Sequence, residues 1–187
     1  RIEPVQNPAR FVVEGTSTRT TMGGPIRTPT MDRLAKAFLA KGREFDPIIK
    51  SGRTHLQDAT PIRLGQEFTA YGHTVARHRD KLVEAARWVR ALGIGGTAVG
   101  TGINAEPQYP ALMVKHLREI TGLELEVGED RVQLMQSMGD IASFSGALRA
   151  WVLDLNKIAN DIRLLASGPR TGLAEIGLPA VQPGSSI

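Results

Sequence analysis

The chain has no cysteine among its 187 residues. That excludes a disulfide framework and any thiolate metal site. Aromatic residues make up only 5%, too few for the stacking platforms that hold single-stranded nucleic acid. No apolar run reaches the roughly eighteen residues that a transmembrane helix needs. The opening residues, Arg1-Ile2-Glu3-Pro4, lack the apolar stretch of a secretory signal. Nor is there a block of like charges that would form a basic or acidic tail. Together these absences fit a cytoplasmic enzyme that binds neither membrane nor nucleic acid.

What is present points the same way. Hydrophobic residues are 41% and charged residues 22%, enough for a core and too balanced for a disordered chain. The length suits one domain, or one and a fraction. A net charge of +4 comes from scattered Lys and Arg with acids among them, which suits a small anionic substrate.

Residues 1–30 read as an irregular N-terminal segment. Pro4, Pro8, Pro25 and Pro29, with Gly15, Gly23 and Gly24, break any helical period. The hydroxyl run from Thr16 to Thr21 reads as a solvated loop. Residues 31–187 read as a helical-bundle domain. Its first helix is predicted from about Thr30, which would cap it, with Asp32 in the first turn. Leu34, Phe38 and Phe45 keep helical spacing, and Pro47 marks a break.

The segment Ser51-Gly52-Arg53-Thr54-His55-Leu56-Gln57-Asp58-Ala59-Thr60-Pro61 then puts a hydroxyl, an imidazole, a guanidinium, an amide and a carboxylate into one connection. Taken alone it reads equally well as an ordinary polar loop or as a site, since loops on rigid elements commonly carry chemistry. Thr60-Pro61 reads as a cap and first helical residue. Leu64, Phe68, Tyr71, Val75, Leu82 and Val89 follow at steps of three and four, predicting a helix to about Leu92. His73 and His78 on it read as structural. The glycine-rich run at 95–104 is neither a P-loop nor a dinucleotide fingerprint. A short helix is predicted over 107–121, with Gly122 after its end. From Glu129-Asp130 an apolar stripe runs through Leu134, Met138, Ile141, Leu148, Val152, Leu155, Ile162 and Leu165, with Met135 and Met138 as core filler. As one helix it would be roughly 57 Å long, against a radius of gyration of about 16 Å for a chain this size. Such a stripe requires partner helices from other subunits. The predicted fold is therefore all-α: a long-helix bundle inside an obligate oligomer. The closing stretch from Gly172, taken alone, reads as a flexible terminus.

Five segments together resemble the fumarase/aspartase superfamily: Ser51–Pro61, the Gly95-Gly96-Thr97-Ala98-Val99-Gly100-Thr101-Gly102-Ile103-Asn104 run, Lys157–Arg163, Ala166-Ser167-Gly168-Pro169-Arg170, and Gly184-Ser185-Ser186-Ile187. They span about residues 42–187, in the superfamily's order. Within it, Val114-Lys115-His116-Leu117, Gly122-Leu123 and Leu164 resemble the aspartate ammonia-lyase branch more than the fumarases. The resemblance implies a mostly helical subunit in a homotetramer, with active sites built by loops of three subunits. It also implies elimination of ammonia from L-aspartate to give fumarate, with fumarate hydratase as the alternative and no cofactor or metal in the chemistry.

In its terms Ser185 is the catalytic base and Ser186 a substrate contact, on a loop at 177–187. Thr54 binds a substrate carboxylate, and His55 holds or protonates a neighbouring group. Two departures stand out. The superfamily continues past Gly-Ser-Ser-Ile with a substrate-binding lysine and asparagine, whereas this chain stops at Ile187. The upstream Ser/Thr motif has only a faint echo in Thr16–Thr21. The chain therefore reads as an incomplete subunit, and these 187 residues alone are expected to lack lyase activity.

Overall fold

The computed structural model describes residues 28–179. They are mostly helical, with two small two-stranded sheets, and fall in two compact units, 28–154 and 155–179, the division lying within the last helix.

In the first unit, α1 (Pro29–Glu44) and α2 (Leu64–Trp88) run antiparallel. Helix α1 starts one residue earlier than predicted. Pro29 occupies its first turn, where a missing N–H costs nothing. Thr28, not Thr30, is the N-cap residue, and it caps through its carbonyl, which accepts from Asp32 N at 3.0 Å. The apolar faces predicted from helical spacing meet between the two helices. Phe38, Phe68, Tyr71, Val75 and Leu82 are buried. Phe68 lies edge-on to Phe45 and Tyr71 at centroid distances of 5.0 and 5.7 Å. At the far end, Arg79 donates to Asp32 on α1 at 2.6 Å and also to Asp80. These bonds, Asp32's first, hold the guanidinium further toward its charged form than usual.

Close approach of α1 and α2 depends on Gly65. A methyl there would run into the Gly42 carbonyl and sit 2.6 Å from Asp46 Cα. Both are backbone, so neither can rotate away. Gly65→Ala is expected to destabilise the fold by about 1–3 kcal/mol, as other overpacked sites do, measured as a lower urea midpoint with an unchanged m-value.

The connection at 51–61 is not a loop: it is an antiparallel hairpin of β1 (Ile49–Thr54) and β2 (Gln57–Arg63). Thr60 and Pro61 are strand residues, Pro61 opposite Ser51. A two-stranded ribbon tolerates proline because one side of each strand has no ladder to supply. Helix α2 begins at Leu64 behind Arg63, whose amide donates to Gln66 Oε1 at 3.0 Å, and ends at Trp88 rather than Leu92.

Beyond α2, β3 (Ala91–Leu92) pairs in parallel with β4 (Glu126–Val127). The glycine-rich loop and α3 (Tyr109–Thr121) make the crossover. Gly122 ends α3 in the left-handed conformation at φ 64°, as predicted. The roughly forty-residue helix does not form. Asp130 caps a short α4 (Arg131–Gln136), and its side chain accepts from Gln133 N. Ser137 is extended (φ −94°, ψ 129°), and its Oγ accepts from Gly139 N at 3.3 Å. Only then does α5 (Gly139–Leu165) begin. Met135 and Met138 are exposed rather than core filler, and so are Ile141, Leu148 and Val152 of the stripe. Of the two α2 histidines, His73 is exposed. His78 is buried, with Nε2 2.6 Å from Asp154 Oδ2.

In the second unit the chain turns after α5 on Ser167. Its Oγ donates to Leu164 O and accepts from Leu173 N, while its carbonyl accepts from Ala174 N. Leu165 O then takes the amides of Glu175 and Ile176 at 2.9 and 3.3 Å.

Candidate active site

Thr54 and His55, the substrate-contacting pair implied by resemblance, stand at the tip of the hairpin. Thr54 ends β1 opposite Gln57, and His55 is the first of the two turn residues. Both are exposed. The turn is tight: His55 and Leu56 have φ of 51° and 62°. A two-residue hairpin loop with both central residues left-handed matches the twist of its strands, but it normally uses Asn-Gly. An imidazole and an exposed leucine are thus carried on backbone that such residues avoid, directly after the strand residue Thr54.

The strain is not confined to this tip. Among the described residues the non-glycine positions with positive φ are His55, Leu56, Thr97, Asn104 and Ala174. The hairpin holds two, the glycine-rich run two, and the turn after α5 one. Residues forced into sparsely populated conformations cluster where surrounding structure serves a site.

The run at 95–104 is folded by its own amides. Gly96 O accepts from Gly100 N at 2.9 Å and from Gly102 N at 3.0 Å. Gly100 (φ +97°) packs against the backbone of Val132, where a side chain could not fit. This seats the loop on α4 and leaves Thr97, Val99, Thr101 and Asn104 exposed. Lys157, from the third matching segment, pairs with Asp161 one turn further along α5.

The hairpin joins the body at its base. Leu64 N donates to Ile48 O at 2.9 Å and Gly65 N to Phe45 O at 3.1 Å. Lys50 Nζ lies 3.0 and 3.2 Å from the two carboxylate oxygens of Glu67 in the first turn of α2. Sequence reading passed over Lys50 and Glu67. The signal available was a lysine in an apolar-flanked stretch just ahead of the tip, with an acid just inside the following helix.

Ser185 and Ser186 lie outside the described residues. Of the four, the structure places Thr54 and His55 side by side at the hairpin tip. Among the described residues, no group of three or more His, Asp or Glu side chains is placed to hold a metal ion.

A family model described as a lyase matches residues 25–187. The aspartate ammonia-lyase of Bacillus subtilis (strain 168) is 49% identical over 158 residues, covering 84% of this chain and 33% of that protein. The class II fumarate hydratase of the same organism is 45% identical over 159 residues, covering 85% and 34%. The crystal structure of a fumarate lyase:delta crystallin from Brucella melitensis bound to cobalt superposes with a TM-score of 0.77 at 51% identity, covering 84% of this chain and 34% of that one. The chain thus spans about a third of the length of these curated relatives. It belongs to the lyase family. Within that family its relatives, named as aspartate ammonia-lyases and class II fumarases, make it a member of the fumarase/aspartase superfamily.

Proposed function

We propose that the chain supplies the hairpin, glycine-rich loop and serine loop of an aspartate ammonia-lyase, working as a cytoplasmic homotetramer on a small dicarboxylate. The carrying observation is the 49% identity to an aspartate ammonia-lyase over 84% of the chain. The exposed stripe of Met138, Ile141, Leu148 and Val152 supports assembly, because apolar side chains at helical spacing are ordinarily covered by partner helices.

The reaction asks for a proton to be taken from the carbon next to a carboxylate. That C–H bond is weakly acidic, and it ionises only if the carboxylate takes up the electron pair as an aci-dianion. Preorganised donors aimed at that charge lower the barrier. In this reading Ser185, as its alkoxide, removes the proton, and backbone amides of its loop hold the dianion. Ser186 adds a contact. The electron pair then returns to form the carbon–carbon double bond, the carbon–nitrogen bond breaks, and ammonia leaves from the neighbouring carbon. Thr54 Oγ1 donates to the other carboxylate. His55, whose imidazole can donate or accept a hydrogen bond, holds that end of the substrate. No cofactor enters the scheme.

The protein purified at its full natural length and incubated with L-aspartate or with L-malate, followed by the ultraviolet absorbance of fumarate, tests this. Product from aspartate alone is the expected result. Product from malate alone makes the protein a fumarate hydratase, the reading favoured by its 45% identical relative. Product from neither removes both.

A further inference from the structure

Lys50 is a charged residue in an improbable place. Its side chain is only 8% exposed, and Glu67 opposite is 23% exposed. Lysine is seldom buried unless paired, and separating a buried pair leaves an uncompensated charge. The two residues sit on different elements, β1 and the first turn of α2. There the N-terminal end of the helix dipole adds to the attraction for the carboxylate.

Where this pair sits matters for the hairpin. A lone two-stranded ribbon is marginally stable in water. The backbone bonds from Leu64 to Ile48 and from Gly65 to Phe45 tie this one at the end of its base, where a ribbon can still swing. Arg63 and Asp46 pair at 2.9 Å, but both are about half exposed, and exposed pairs hold weakly. Lys50 reaches from one residue inside the ribbon to α2, so it fixes the ribbon's side as well as its end. Just beyond, the register shifts between Ser51 and Arg53 around Gly52. A bulge bends and twists a strand, turning the tip relative to whatever the base fixes. Base clamp and bulge together set the direction in which Thr54 and His55 are presented.

We propose that Lys50 and Glu67 are a positioning pair for the site, holding the hairpin against α2 so that Thr54 and His55 meet the substrate in productive geometry. This rests on the functional reading above. Neither residue touches the reacting atoms; they act through the hairpin.

The test compares Glu67→Gln, Lys50→Met and the conservative Lys50→Arg with the parent protein, using two readouts. Hydrogen exchange needs no activity. Glu67→Gln and Lys50→Met should speed exchange across residues 49–63 while leaving the amides of α2 beyond its first turn protected. In turnover, kcat/KM should fall by about tenfold to a hundredfold, the scale of small misplacements of substrate-positioning groups. Lys50→Arg, which can still reach a carboxylate, should restore most of both. Unchanged exchange in the hairpin overturns the proposal. Faster exchange with unchanged kcat/KM also overturns it, because the pair would then only stabilise. If the parent protein turns over neither aspartate nor malate, the functional reading falls, and the exchange readout still decides whether the pair holds the hairpin.

Discussion

Replacing Ser185 by alanine is expected to lower kcat for fumarate formation by roughly 10²–10⁴-fold, the usual contribution of a positioned general base. KM should change little. The difference follows from what each part of the serine loop does in the proposed chemistry. The hydroxyl oxygen acts only when the proton moves, so its loss is felt in the transition state and not in the bound substrate. The loop's backbone amides, which would hold the carboxylate, are still present in the alanine variant. Ser186→Ala serves as the control: a contact made equally in ground and transition states raises KM and leaves kcat nearly intact. A Ser185→Ala protein retaining its rate would exclude this serine as the base and return the question to His55, the other titratable candidate.

How far the chain could be read depended on whether local chemistry agreed with the conformation adopted. Helix α3 was legible at its C-terminal end because Gly122 suits the left-handed cap it occupies, while its start falls at Tyr109, two residues after the predicted 107. The apolar faces of α1 and α2 were legible because Phe38 on one and Phe68, Tyr71, Val75 and Leu82 on the other keep helical spacing, and all five are buried. The hairpin was not. His55-Leu56 carries none of the Asn or Gly that normally announces a two-residue turn, and Pro61 argues against a strand unless that strand is on an edge. The break at Ser137 was hidden for a different reason. Leu134, Met138 and Ile141 keep the stripe in step across it, while one serine hydroxyl takes the next helix's amide and ends the first helix. Of the candidate site, Thr54 and His55 were legible by resemblance. Lys50 and Glu67 were not, because an ion pair seventeen residues apart has no local pattern.

Phe68→Ala is expected to destabilise the protein by about 3–5 kcal/mol, the range for deleting a buried aromatic ring. Phe68 is 3% exposed and touches three other rings, with centroids of Phe45, Tyr71 and Phe38 at 5.0, 5.7 and 6.3 Å. The cost should lie high in the range, because its neighbours cannot close the gap. Phe38 and Tyr71 are themselves locked edge-on at 5.7 Å, and α1 and α2 already meet backbone to backbone at Gly42 and Gly65. A fold that loses this much of a typical 5–15 kcal/mol margin is substantially unfolded near its former working temperature. Urea titration followed by tryptophan fluorescence and by circular dichroism measures the loss, and coincident curves justify the two-state treatment. Phe68→Leu separates volume from ring geometry: it keeps apolar volume but loses the edge-to-face contacts, each worth about 0.5–1.5 kcal/mol. The hairpin should respond with the core, since Phe45 both packs on Phe68 and accepts the Gly65 amide at the hairpin's base. At urea concentrations below the global transition, Phe68→Ala should therefore speed hydrogen exchange at residues 49–63 more than at α3. Equal acceleration of both segments would mean that they open together, and that the aromatic cluster has no separate hold on the hairpin carrying Thr54 and His55.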